Sequence, residues 1–123
     1  MAVQDAFEVA HRHLRDRDAE GIASELQGLL GQKLVAFALG DMHPKTIGRY
    51  ARGERGPDDA AYRRLVDLFL VAEILKTGMR PAAVKSWMLG ANPRLGGKAP
   101  IEALHDGKAE SVRTAAQVFV SKR

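Results

Sequence analysis

The chain has 123 residues, a formal net charge of +4 and no cysteine. This length supports one modest core or two small ones, and the lack of cysteine excludes disulfides and thiolate metal sites. The mild positive charge is compatible with a nucleic-acid partner. No apolar run reaches the length of a membrane span and no signal peptide is evident, so we expect a cytoplasmic protein without a membrane partner. Few aromatic residues and scattered β-branched residues favour an all-α fold.

Helical spacing of apolar residues predicts three helices in the first third of the chain. They span about residues 3–16, Ala19–Leu30 and Gln32–Leu39. Gly31 is the expected stop of the second helix. His11 and His13 lie two positions apart and point away from each other, so a solvated helix face is favoured over a metal site.

The stretch Leu39–Gly53 predicts a helix-turn-helix. Leu39-Gly40 ends one apolar-periodic run, and Pro44 opens a short helix because proline is tolerated at the first helical position. On this helix Ile47 and Tyr50 share one face and can pack inward.

The opposite side of that short helix is predicted to be polar and basic. Its exposed residues are Lys45, Thr46, Arg49 and Arg52, and Arg55 extends the positive strip beyond the helix. Such a face suits the major groove of DNA, where arginine and lysine reach guanine edges or phosphates. The alternative is a basic, solvated helix in an ordinary helical domain.

The run Gly56-Pro57-Asp58-Asp59 predicts the start of a long helix over Asp58–Lys76, because proline and aspartate are favoured in a first helical turn. Its segment Leu68–Ala72 is apolar nearly all round. We therefore expect a core helix that also contributes to a dimer face.

The last third is predicted to hold three shorter helices around a structured loop. The helices are Pro81–Leu89, a short one opened by Pro100 and closed by Gly107, and Ala109–Val120. A boundary near Gly78–Pro81 divides the chain into an N-terminal helical domain, 1–78, and a C-terminal module, 79–123. We expect this boundary to be a joint between packed helices.

Enzyme chemistry is not indicated by any motif. Gly96-Gly97-Lys98 resembles a phosphate-binding loop only superficially, because the glycine spacing is wrong and Ala99 stands where Ser or Thr would hold magnesium. No metal, cofactor or small-molecule substrate is expected. His105-Asp106 is interpreted as a pair at a helix end, where the dipole favours histidine.

Residues 87–107 carry the motif Trp-Met-x-x-x-Asn-Pro-x-Leu-Gly-Gly-x-x-Pro-x-x-x-Leu-x-x-Gly. This motif, placed after a helix-turn-helix, resembles the C-terminal module of the Xre/MbcA/ParS antitoxins, the partners of RES-domain toxins in bacterial type II toxin–antitoxin operons. The preceding segment resembles the Xre type through Leu39-Gly40 and Thr46-Ile47-Gly48-Arg49-Tyr50-x-x-Gly53, although Tyr50 stands where tryptophan is common. The resemblance covers about Ala19 to the C-terminus and leaves the first helix unmatched.

The resemblance implies a homodimer that neutralises a toxin which degrades NAD or transfers its ADP-ribose. It also implies repression of the operon by binding its own operator DNA. NAD chemistry would belong to the toxin. The motif residues interpreted as structural in the module are Trp87, Asn92, Pro93, Leu95, Gly96, Pro100 and Leu104.

Toxin contacts are expected from polar residues of the module and of the last helix. The candidates are Arg94, Lys98, Arg113, Gln117, Lys122 and Arg123. A basic tail suits a site built for phosphate-bearing NAD. Two alternatives stay open: the tail is a solvated helix end, or the chain is a stand-alone DNA-binding regulator whose module serves dimerisation or another protein.

Overall fold

The computed structural model describes residues 3–15 and 17–122, and its regular structure is all-helical over these residues. The α-helices are α1 (Val3–Arg15), α2 (Ala19–Leu30), α3 (Gln32–Ala38), α4 (Pro44–Ala51), α5 (Asp59–Lys76), α6 (Pro81–Leu89), α7 (Pro100–His105) and α8 (Ala109–Ser121). A 3₁₀ turn, Pro93–Leu95, lies between α6 and α7. The all-α prediction is confirmed, and the predicted helix ends agree with the structure to within about one residue.

Helix α5 lies at the centre of the fold and contacts α1, α2, α3, α6 and α8. The carboxylate of Asp58 caps its start by accepting a hydrogen bond from the Ala61 amide at 2.8 Å. The Leu68–Ala72 segment is buried entirely within the single chain. This stretch therefore completes its packing within one chain, and the expected contribution of α5 to a dimer face stays a prediction.

One hydrophobic cluster continues across the predicted boundary at Gly78–Pro81. Helix α8 packs against both α5 and α1, so the last helix covers the first. At the joint, Gly78 leaves room for Val120: a Cβ added to Gly78 would lie 2.9 Å from the Val120 Cβ. The two predicted parts thus share a core. In the described residues, no helix is long and apolar enough to span a membrane.

Candidate nucleic-acid interface and partner-binding groove

The turn between α3 and α4 reverses the chain through two residues with left-handed backbone. Gly40 has φ +96° and Asp41 has φ +64°. Aspartate tolerates this region better than most side chains, which makes Asp41 an acceptable partner for the glycine. The Met42 amide donates to the Ala36 carbonyl at 3.0 Å and closes the turn onto α3.

Helix α4 begins at Pro44 behind a histidine cap. The His43 ring accepts the Lys45 amide at its Nδ1 at 3.1 Å, a bond that requires an unprotonated Nδ1. The helix packs chiefly against α2 and α3. Its buried face comprises Thr46, Ile47, Gly48 and Tyr50.

Thr46 therefore does not lie on the outer face. It is only 8% exposed, so the prediction that it points toward solvent with the basic residues is wrong. The physical reason is that α2 and α3 together cover a wider face of α4 than the spacing of Ile47 and Tyr50 alone predicts. Gly48 belongs to this wide face, since a Cβ there would come within 2.8 Å of the Gln32 Nε2.

The basic residues of α4 do form an exposed stripe. Lys45, Arg49 and Arg52 are exposed and follow one another at i, i+4 and i+7, which places them along one side of the helix. Arg55 is exposed in the turn that follows. This stripe can reach phosphates or base edges of a nucleic acid.

An acidic neighbour modulates the C-terminal end of this stripe. The Arg52 guanidinium contacts the Glu54 carboxylate at 2.8 Å. This hydrogen bond raises the pKa of Arg52 and lowers the pKa of Glu54. Arg52 therefore has an intramolecular partner that a phosphate would have to displace, whereas in the described residues no ion pair involves Lys45 or Arg49.

The module loop is organised by Asn92. Its side chain accepts the Arg94 amide at 3.0 Å, and its backbone oxygen accepts the Gly97 amide at 2.9 Å. Gly96 and Gly97 both have positive φ, at +67° and +85°, which explains the paired glycines. These bonds support the structural interpretation of Asn92 and Gly96.

The other motif residues differ in burial. Pro100 and Leu104 are buried, Trp87 and Leu95 are half-buried, and Pro93 is exposed. Trp87 packs against the core but is only partly buried. Its ring lies 6.2 Å from that of Phe119 on α8, centroid to centroid, and the two rings lie beside an open groove.

This groove lies between α6, the 3₁₀ turn and α8 and has a volume of about 440 Å³. Its lining residues include Trp87, Phe119, Arg94 and Lys122. Arg94 and Lys122 are exposed, and within the described part of the chain their charged groups form no ion pair. The groove thus combines apolar walls with two available positive charges.

The remaining predicted toxin contacts are already paired, partly buried or outside the described residues. Lys98 pairs with Asp106 at 2.8 Å, and Arg113 is half-buried with its guanidinium 3.7 Å from the Asp67 carboxylate. Burial raises the pKa of Asp67, and the Arg113 charge opposes that rise. Gln117 is half-buried, and Arg123 lies outside the described residues.

The histidines and carboxylates of the described residues are dispersed with respect to metal binding. Among the described residues, no three His, Asp or Glu side chains come together as metal ligands. His11 contacts the Phe7 ring, and His13 lies 3.4 Å from the Glu73 carboxylate.

Comparisons of the chain with protein-family models, with curated proteins and with solved structures find no match.

Proposed function

We propose that this chain is a cytoplasmic antitoxin that binds and neutralises a RES-domain toxin and represses its own operon. One observation carries the proposal: a single core presents both an exposed basic stripe on a helix-turn-helix and a basic-edged groove in the module. The resemblance of residues 87–107 to the Xre/MbcA/ParS module gives the groove its partner.

The DNA-binding role rests on the geometry of α4. A short helix that is anchored by one face and carries Lys45, Arg49 and Arg52 on the other can enter the major groove. A homodimer would read two half-sites about one helical turn apart, or about 34 Å. Electrophoretic mobility of the DNA upstream of the gene tests this role.

The neutralising role rests on Arg94 and Lys122. Their exposed positive charges suit acidic groups on the toxin around its NAD site. Co-expression with the neighbouring RES gene should restore growth, and the R94E/K122E variant should lose this rescue. K85E is the matched control, because Lys85 is exposed on α6 and does not line the groove.

Charge reversal tests this role better than removal of residues 87–123 would. That truncation would delete α8, which packs on α5 and α1, and we expect it to unfold the core. R94E/K122E changes exposed side chains only, so a folded variant with intact rescue would refute the role given to the groove. Circular dichroism of the purified variant establishes that it is folded.

A stand-alone dimeric DNA-binding regulator is the second candidate. It is favoured by the position of the whole basic stripe before residue 56, so DNA contact does not require the module's groove. The absence of a RES gene beside the chain's own gene would favour this candidate. Growth rescue by the wild-type chain would favour the antitoxin.

A further inference from the structure

A polar junction joins the turn before α4 to the end of α7. The His105 Nε2 lies 2.8 Å from an oxygen of Asp41 in the turn, and the His105 Nδ1 lies 3.3 Å from an oxygen of Asp106. The ring also stacks on Phe37 of α3, with centroids 4.4 Å apart and planes at 14°. His105, in the C-terminal module, thus contacts Phe37 and Asp41 of the N-terminal part.

Two cations complete the surroundings of His105. The Arg64 Nη1 on α5 donates to the Ala38 carbonyl at 3.2 Å and to the His105 carbonyl at 3.3 Å. It therefore bonds carbonyls at the ends of both α3 and α7. The Lys98 Nζ lies 2.8 Å from the other oxygen of Asp106. The ring itself faces two carboxylates, whereas Arg64 donates to backbone carbonyls and Lys98 pairs with Asp106.

The protonation state of His105 decides how many of these bonds exist. An imidazolium donates from both nitrogens, whereas a neutral ring has one N–H, so one carboxylate then loses its donor. The hydrogen bond to Asp41, followed by that to Asp106, raises the pKa of His105 above its ordinary value of 6.5. The stabilisation is therefore complete below about pH 6.5 and is lost as the pH rises through the raised pKa.

We propose that protonated His105 is a positioning residue that holds the turn before α4 against α7. The turn is sensitive to such a contact, because Asp41 has left-handed backbone and lies two residues before His43, the cap of α4. Deprotonation of His105 weakens its contact with Asp41 by removing the ring's positive charge, or breaks it where the remaining N–H is on Nδ1, and so loosens the segment that directs α4. An effect on DNA affinity rests on the proposed function, whereas the effect on the turn does not.

Amide hydrogen exchange of the full chain without DNA tests the contact. The Met42 amide, which bonds to Ala36, reports on the turn. After correction for the intrinsic rate, its protection should fall by roughly threefold or more between about pH 5.5 and about pH 8.5. In His105→Phe, which keeps a flat ring on Phe37 but has no ring nitrogen, protection should be low at both pH values.

Two further variants make the result specific. Asp41→Asn suits left-handed backbone and removes the charge, so the loss of Met42 protection should move to lower pH. His43→Asn keeps a cap acceptor and removes the other imidazole near α4, so the wild-type pH dependence should persist. Equal Met42 protection at both pH values, or an unchanged pH dependence in His105→Phe, would overturn the inference.

Operator affinity provides the second readout. Wild-type affinity for the operator should fall several-fold from about pH 5.5 to about pH 8.5. The fall in affinity over the same pH range should be smaller in His105→Phe. A fall of the same size in His105→Phe would overturn the link to α4. If no DNA is bound at either pH while Met42 protection still follows His105, the proposed function fails and the positioning role stands.

Discussion

At the scale of single residues, Arg49 is the side chain of α4 best placed to read a base. It lies in the middle of the exposed stripe and forms no close ion pair in the described residues, although its charge helps to lower the pKa of Glu54. Arg49→Ala should weaken operator binding by about 1–3 kcal/mol and relax specificity at one base pair. Fluorescence anisotropy with operator and single-base variants measures both effects. Lys85→Ala is the control, and an equal loss in that variant would contradict a specific contact.

Lys45 and Arg52 are expected to meet phosphates, but with different strength. Lys45→Ala should reduce the slope of log affinity against log salt by about 1. Arg52→Ala should reduce it less, because Glu54 already holds the Arg52 guanidinium at 2.8 Å. Glu54→Gln should therefore strengthen binding at low salt. Identical salt slopes in the wild type and in Lys45→Ala and Arg52→Ala would contradict the proposed docking.

The sequence predicted side-chain exposure correctly where the spacing along a single helix determines it. The positions of Lys45, Arg49 and Arg52 follow from helical spacing alone. Thr46 was placed wrongly because two helices from elsewhere in the chain cover it. The contacts of Arg64 with Ala38 and of His105 with Asp41 join residues 26 and 64 positions apart, and no local pattern signals such contacts.

At the scale of elements, the start of α5 depends on one capping bond. Asp58→Ala removes the acceptor for the Ala61 amide and should lower the free energy of unfolding by about 1 kcal/mol. Asp59→Ala is the matched control, since Asp59 is an exposed residue of the first turn whose charge favours the helix dipole by about 0.3–1 kcal/mol. Urea unfolding compares them. A larger loss in Asp59→Ala would contradict this assignment of the cap.

The packing of α8 against the turn that follows α5 is tested at Gly78. Gly78→Ala places a Cβ 2.9 Å from the Cβ and Cγ1 of Val120, so the end of α8 must move. We expect a loss of about 1–3 kcal/mol in the free energy of unfolding. Gly28→Ala is the control: no atom lies within 4 Å of the added Cβ, and alanine should stabilise α2 by about 0.5–1 kcal/mol. Equal effects of the two substitutions would contradict the close approach.

The helices themselves could be predicted from the sequence because apolar periodicity and end residues act locally. Gly31, Pro44, Pro81 and Pro100 mark helix ends in both the sequence and the structure. Three-dimensional neighbours could not be predicted in this way. The burial of Leu68–Ala72 within one chain, for example, depends on helices that precede and follow it.

At the scale of the whole molecule, the two candidate sites share one core. Because α8 packs on α1 and α5, and His105 joins α7 to the turn before α4, the module is integrated with the helix-turn-helix. The sequence predicted a packed joint near Gly78–Pro81, but not the contacts of α8 with α1 or of His105 with Asp41. We therefore expect point substitutions to separate the two proposed functions, whereas deletion of either part should also damage the other.

The proposed antitoxin role is tested most directly by titrating the NAD-consuming activity of the neighbouring RES enzyme with the purified full chain. The activity should fall to background once the chain is in stoichiometric excess, and R94E/K122E should leave most of it intact while K85E inhibits like the wild type. Full enzyme activity at a saturating concentration of the folded wild-type chain would contradict the account.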